Sequence, residues 1–94
     1  MTVLSDAEVQ QRLAAVEGWR PGDERAIVRD LTFADFAAAI AFVDRVAEAA
    51  EAANHHPDIL LHGWNKVRLT LSTHSQGGVT GADLELAAQI DRLV

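Results

Sequence analysis

Asn54-His55-His56-Pro57 sets two imidazoles side by side, and a third follows at His74. Histidine is the side chain whose unperturbed pKa, about 6.5, lies nearest neutral pH, so a cluster of them suits a reaction that needs a proton given and a proton taken. Glu51, one helical turn before His55, is placed to hold an imidazole in one tautomer or to bond a ligand. The same residue types occur in metal sites. Adjacent histidines in an extended segment, however, point to opposite faces, which makes shared ligation awkward, and no metal is expected.

The elements around this knot decide whether the histidines meet. Pro57 disfavours helical geometry at His56, so the knot reads as a helix-to-strand junction. Upstream, Thr32-Phe33-Ala34-Asp35 has the form of a capping signature, and alanines then carry a helix of about twenty residues to Asn54. Phe36, Ile40, Val43, Ala47 and Ala50 are expected on its buried stripe, with Asp35, Asp44, Glu48 and Glu51 nearer water. Downstream, from Asp58 to His74, apolar residues alternate around a bend at Gly63-Trp64-Asn65, giving an antiparallel hairpin. With paired numbers summing to about 129, His55 falls opposite His74 and His56 beside Thr73. A slip of one residue would place His74 opposite Asn54 or His56.

Two further helices flank this unit. Ser5-Asp6-Ala7-Glu8 reads as a capping box, Val9, Leu13 and Val16 as the buried stripe, and Gly18 as the left-handed residue ending the helix. Trp19 then opens a short strand, Pro21-Gly22-Asp23 makes a turn, and Arg25–Arg29 returns as the second strand. After the Gln76-Gly77-Gly78 loop, Thr80-Gly81-Ala82-Asp83 caps a last helix whose apolar face is Leu84, Ala87, Ala88, Ile90 and Val94. The order α-β-β-α-β-β-α gives an α+β domain over 1–94, an antiparallel sheet of about four strands with three helices packed on one face.

Composition removes several function classes. Of 94 residues none is cysteine, which excludes disulfides, thiol chemistry and thiolate ligands to zinc. A formal net charge of -6 with scattered Lys and Arg argues against nucleic acid. No apolar run nears the roughly 20 residues that span a bilayer, and Met1–Asp6 has neither a basic n-region nor an apolar h-region, so no membrane partner and a cytoplasmic location are expected.

Glu51-Ala52-Ala53-Asn54-His55-His56-Pro57, then Trp64-Asn65-Lys66-Val67, then Leu71-Ser72-Thr73-His74, then Asp83 resembles the signature of the pterin-4a-carbinolamine dehydratases. Gly18-Trp19 and Leu31-Thr32-Phe33 agree with it. One departure is visible: the six residues Asp58 to Gly63 are one more than the family pattern has before its aromatic residue. A bulge or longer turn at Gly63 accommodates the extra residue.

The resemblance implies dehydration of 4a-hydroxytetrahydropterin to quinonoid dihydropterin in tetrahydropterin recycling, with no cofactor. It implies His55, His56 and His74 as the acid/base set, His56 and His74 nearest the leaving hydroxyl and His55 as their orienting partner. It places Glu51, Asn54, Pro57, Thr73, Asp83 and Trp19 around the pterin, although the family often carries Asp where this chain has Asn54. It also implies a homodimer or homotetramer, which an open sheet edge at the last strand would serve. The competing function is a protein-binding or assembly-factor module of the same fold; the full histidine set favours the enzyme.

Structural readings stand beside these. Asp83 suits the third position of a capping box whether or not it meets substrate. His62 reads as a solvent-facing strand residue, Lys66 and Arg68 as a solvated strand face, and Trp64 as a rim or core residue.

Overall fold

The computed structural model describes residues 2–23 and 25–94. Helix α1 (Asp6–Leu13) is followed by β1 (Arg20–Pro21), β2 (Ile27–Thr32), α2 (Phe36–Ala53), β3 (Asp58–His62), β4 (Lys66–Leu71), a 3-10 turn at His74–Gln76 and α3 (Gly81–Asp91). The strands form one antiparallel sheet in the order β1-β2-β4-β3, the α+β arrangement expected. No helix among the described residues is long and apolar enough to cross a membrane.

Alternation along β4 separates the faces of the sheet. Val67, Leu69 and Leu71 are fully buried against the helices, while Lys66 and Arg68 point the other way into water. The covered face meets Phe42, Val46 and Ala50 of α2 and Leu86, Ala87 and Ile90 of α3 in one apolar cluster. Phe42, wholly buried and 5.0 Å centroid to centroid from Phe33, anchors α2. Truncating such a ring to Ala leaves a cavity that costs about 3–5 kcal/mol.

The stripe of α2 is rotated from the one expected. Ala39, Phe42, Val46 and Ala50 are the buried residues, whereas Phe36 is 52% and Ile40 40% exposed. The reason lies in composition: small or apolar residues surround this helix on nearly every side, so spacing alone does not choose a face. α3 differs less; Leu86 is buried in addition to the expected residues, and Val94 is exposed.

Boundaries shift for local reasons. Strand β2 continues to Thr32, which pairs with Lys66, so Thr32 cannot cap α2; Asp35 does, accepting from the Ala38 amide at 2.7 Å. At α1 the expected capping box is present, with Ser5 and Glu8 bonded reciprocally, and the Ser5 donors hold the Glu8 carboxyl below its ordinary value. Gly18 does not end α1, which stops at Leu13, and its φ is not left-handed. A Cβ at Gly18 would collide with the Arg29 guanidinium, which bonds Asp91 at the end of α3. The glycine is there for close approach.

The β3–β4 hairpin pairs Asp58 with Thr70 through His62 with Lys66, a number sum one below the expected register. Gly63 and Trp64 both take left-handed φ values in the three-residue loop, 55° and 61°. β4 is also central, flanked by β2 and β3. The open edges therefore belong to β1 and β3, not to the last strand as expected.

Candidate functional site

α2 ends where the His-His segment begins. Asn54 adopts φ 51°, ψ 41°, its amide meets the Glu51 carbonyl, and the His55 amide reaches back to Ala50 at 3.1 Å. This is a Schellman arrangement, in which Asn is among the few non-glycine residues that accept the left-handed position. Asn54 thus sets the direction in which His55, His56 and Pro57 leave the helix. Its own side chain is exposed.

The two adjacent imidazoles then diverge. His55 Nε2 bonds Oδ1 of Asp83, with the side chains 16% and 0% exposed. His56 Nε2 bonds Glu51 Oε2 at the surface, both side chains more than half exposed. Glu51 therefore steadies His56, and His55 has a buried carboxylate of its own. The resemblance made His55 the partner that orients the others; its own ring is held by Asp83.

Asp83 collects donors from three segments. Beyond His55 on Oδ1, its Oδ2 accepts the Thr73 hydroxyl at 2.8 Å and the Thr80 amide at 2.9 Å. Thr73 Oγ1 also lies 2.8 Å from Thr80 Oγ1. All three side chains are buried. A carboxylate is an acceptor-only group, so this many convergent donors stabilise it in the interior and fix its orientation.

His74 reaches the neighbourhood by another route than strand pairing. The ladder stops at Asp58 and Thr70, before any of the three histidines, and His74 opens the 3-10 turn. A bridge between Thr73 and Gly78, with left-handed Gly77 inside it, closes that turn. His74 is exposed and directly follows Thr73, whose hydroxyl is in the Asp83 network. Among the described residues no group of His, Asp and Glu is arranged to hold a metal ion.

Trp19, expected beside the ligand, is 4% exposed and donates its indole N–H to Asp91 at 2.9 Å. Asp91 is eight residues beyond Asp83 on α3, about 12 Å along the axis, so the polar edge of Trp19 is engaged at the far end of that helix. Trp64 is 61% exposed at the hairpin tip. Thr80 is the residue that sequence reasoning passed over, because its capping role gave a sufficient reason for it. Its signal was the threonine pair Thr73 and Thr80 on either side of a glycine-rich loop.

Two clefts lie away from the histidines. One of about 550 Å³ runs between the N-terminal segment and the β1–β2 turn, lined by Val3, Leu4, Pro21, Arg25 and Val79 among others, and a second adjoins Gly18, Arg29 and Asp91. Neither is lined by a histidine. On the open face of the sheet, Arg68 and Arg20 bond Asp30 and lower its pKa to about 2.

Comparison with known proteins agrees with this architecture. Residues 2–93 match the family profile described as pterin 4 alpha carbinolamine dehydratase. A protein of Roseiflexus castenholzii is 52% identical over 93 residues, 98% of this chain and 97% of that one, and one of Nocardia farcinica is 54% identical over 92 residues, 97% and 94%. Both bear the name pterin-4-alpha-carbinolamine dehydratase provisionally. A crystal structure from Brucella melitensis, described as a transcriptional coactivator/pterin dehydratase, superposes with a TM-score of 0.91 at 35% identity over 98% of both chains. A pterin dehydratase-like RuBisCO assembly factor of the alpha-carboxysome gives 0.67 at 28% identity, covering 81% of this chain and 88% of its own. The chain belongs to the pterin-4a-carbinolamine dehydratase family.

Proposed function

We propose that this protein dehydrates 4a-hydroxytetrahydropterin to quinonoid dihydropterin and water by histidine acid/base catalysis. The hydroxyl leaves from a carbon bonded to nitrogen, so one proton must reach the departing oxygen and one must leave the pterin N5. Imidazolium gives the first and neutral imidazole takes the second. His55, His56 and His74 form the catalytic set, and Glu51, Asn54, Pro57 and Thr73 surround the pterin. No step calls for a metal or an organic cofactor. The observation that carries the reading is the chain His55–Asp83–Thr73, which ties the His-His segment to the Thr-His segment through one buried carboxylate.

A stopped assay of carbinolamine dehydration tests it, run on the wild type and on His55→Ala, His56→Ala and His74→Ala. The wild type should accelerate the reaction. Folded variants should lose on the order of 100-fold or more. No acceleration by the wild type overturns the proposal.

A second reading, a protein-binding or assembly module, draws support from the neighbour that is itself an assembly factor and from the exposed apolar side chains of Phe36, Ile40, Leu60 and Trp64. Exposed apolar area of this kind also suits a homodimer or homotetramer, the assembly we propose, acting in the cytoplasm.

A further inference from the structure

The cleft of about 550 Å³ combines an apolar lining with one charge of each sign. Val3, Leu4, Val9, Pro21 and Val79 supply the apolar walls, while Arg25 brings a guanidinium and Asp6 a carboxylate to the same lining. Sites for small molecules are built this way, and their volumes run from roughly 300 to 1,000 Å³.

Both sides of the cleft are tied down from behind. The Leu4 amide donates to the Val79 carbonyl at 2.8 Å, and Val3 crosses Gly78 so closely that a Cβ there would meet its Cγ1 at 2.8 Å. On the other side the Gly22 amide donates to the Ala26 carbonyl at 2.8 Å, and the Ser72 hydroxyl to the Arg25 carbonyl at 3.0 Å. Arg25 itself takes φ 56°, a left-handed value uncommon for a residue of this size. Its side chain therefore leaves from a backbone that neighbouring bonds hold in place.

The guanidinium at the end of that side chain is largely uncommitted. Among the described residues its single contact is the Gly77 carbonyl at 3.5 Å, longer than an ordinary N–H···O bond, and no carboxylate pairs with it. Arg20, Arg29 and Arg68, by contrast, are each bonded to an aspartate. A guanidinium has five N–H donors, and a carboxylate accepts two of them side by side. Asp6 restricts the charge of what can bind, since a dianion drawn to Arg25 would also meet a carboxylate on the same lining.

We propose that this cleft binds small organic monoacids with an apolar body, Arg25 receiving the carboxylate and Val9, Pro21 and Val79 covering the remainder. The site lies outside the His55–Asp83–Thr73 chain and does not rest on the dehydratase reading.

Titration of the isotope-labelled full chain with hexanoate, followed by amide NMR, tests this. Hexanoate should shift the amides of Leu4, Val9, Gly77 and Val79 saturably. Hexanamide, the same body without the charge, should bind about tenfold more weakly, as should hexanoate to Arg25→Gln. Inorganic phosphate should give no saturable shift. The proposal is overturned by hexanoate that does not saturate or that shifts other amides instead, by equal affinity for acid and amide, by unchanged binding to Arg25→Gln, or by phosphate binding as tightly as hexanoate. Should Arg25→Gln not fold, the comparison of acid with amide on the wild type decides.

Discussion

His55 and Asp83, 28 residues apart in the chain, are bonded side chain to side chain at the place where the end of α2 meets the start of α3. Replacing Asp83 with Asn keeps the shape but puts an amide where an acceptor-only group received three donors. Asp83→Asn should lower kcat for the dehydration by at least about 100-fold, with a smaller change in KM, as expected when a general base loses its orienting carboxylate. Steady-state kinetics with a thermal melt check this. An unaltered kcat in a folded variant contradicts the role given to the carboxylate.

The surface pair behaves differently. His56 and Glu51 are both more than half exposed, so their bond is screened by water and contributes little to stability. Glu51→Gln should leave the melting temperature within about a degree or two while changing activity, because any effect must come through His56 or the ligand. Equal and large losses of both would show that Glu51 is structural.

Acid stability should carry the mark of Asp30. Arg68 first and Arg20 second hold its pKa at about 2, below the ordinary 3.9 or so of an unfolded aspartate. A depressed carboxylate stabilises the fold above the unfolded pKa and loses that contribution as pH falls through the folded one. The window is therefore from about pH 4 down to about pH 2. Asp30 is on the exposed sheet face, so Asp30→Asn should cost less than about 1 kcal/mol at pH 7 and flatten the denaturation profile in that window. Urea melts at a series of pH values would reveal a variant whose acid limb still matches the wild type, which the assigned pKa does not allow.

Gly18 and Arg29 should be coupled. A methyl at position 18 displaces the guanidinium from Asp91, where Trp19 also bonds. Gly18→Ala is expected to destabilise by about 1–3 kcal/mol, and by much less when Arg29→Ala is already present. A double-mutant cycle measures the difference, and strictly additive effects would exclude the close approach as the cause.

Association should depend on the edge strand. Leu60 on β3 is 53% exposed beside unpaired backbone, and Ile40 on α2 presents a second apolar patch. Native mass measurements should find an oligomer, reduced in order by Leu60→Lys or Ile40→Glu. A monomeric wild type would end this proposal.

How much could be read in advance varied with the kind of signal. Capping boxes at Ser5 and Thr80 and the turn at Gly63 were legible because each depends on residues within a few positions, and the chemistry of the histidines pointed to the family without reference to shape. The buried face of α2 was not legible, since alanine gives periodicity nothing to distinguish. Hairpin counting brought the Thr-His segment near the His-His segment, yet the contact that joins them is a carboxylate from a helix beyond both strands. Gly18 looked like a helix stop because glycine often is one; the arginine that requires its smallness lies on a different element.

The position of β4 between β2 and β3 divides the site into unequal parts. Amides of a strand paired on both sides exchange with solvent only when much of the molecule opens, whereas an edge strand frays by itself. Thr73 and His74 follow the central strand, and His55 and His56 lead into the edge strand. Amides of β4 should therefore exchange more slowly than those of β3, which makes the strand behind Thr73 and His74 the more persistent support of the two.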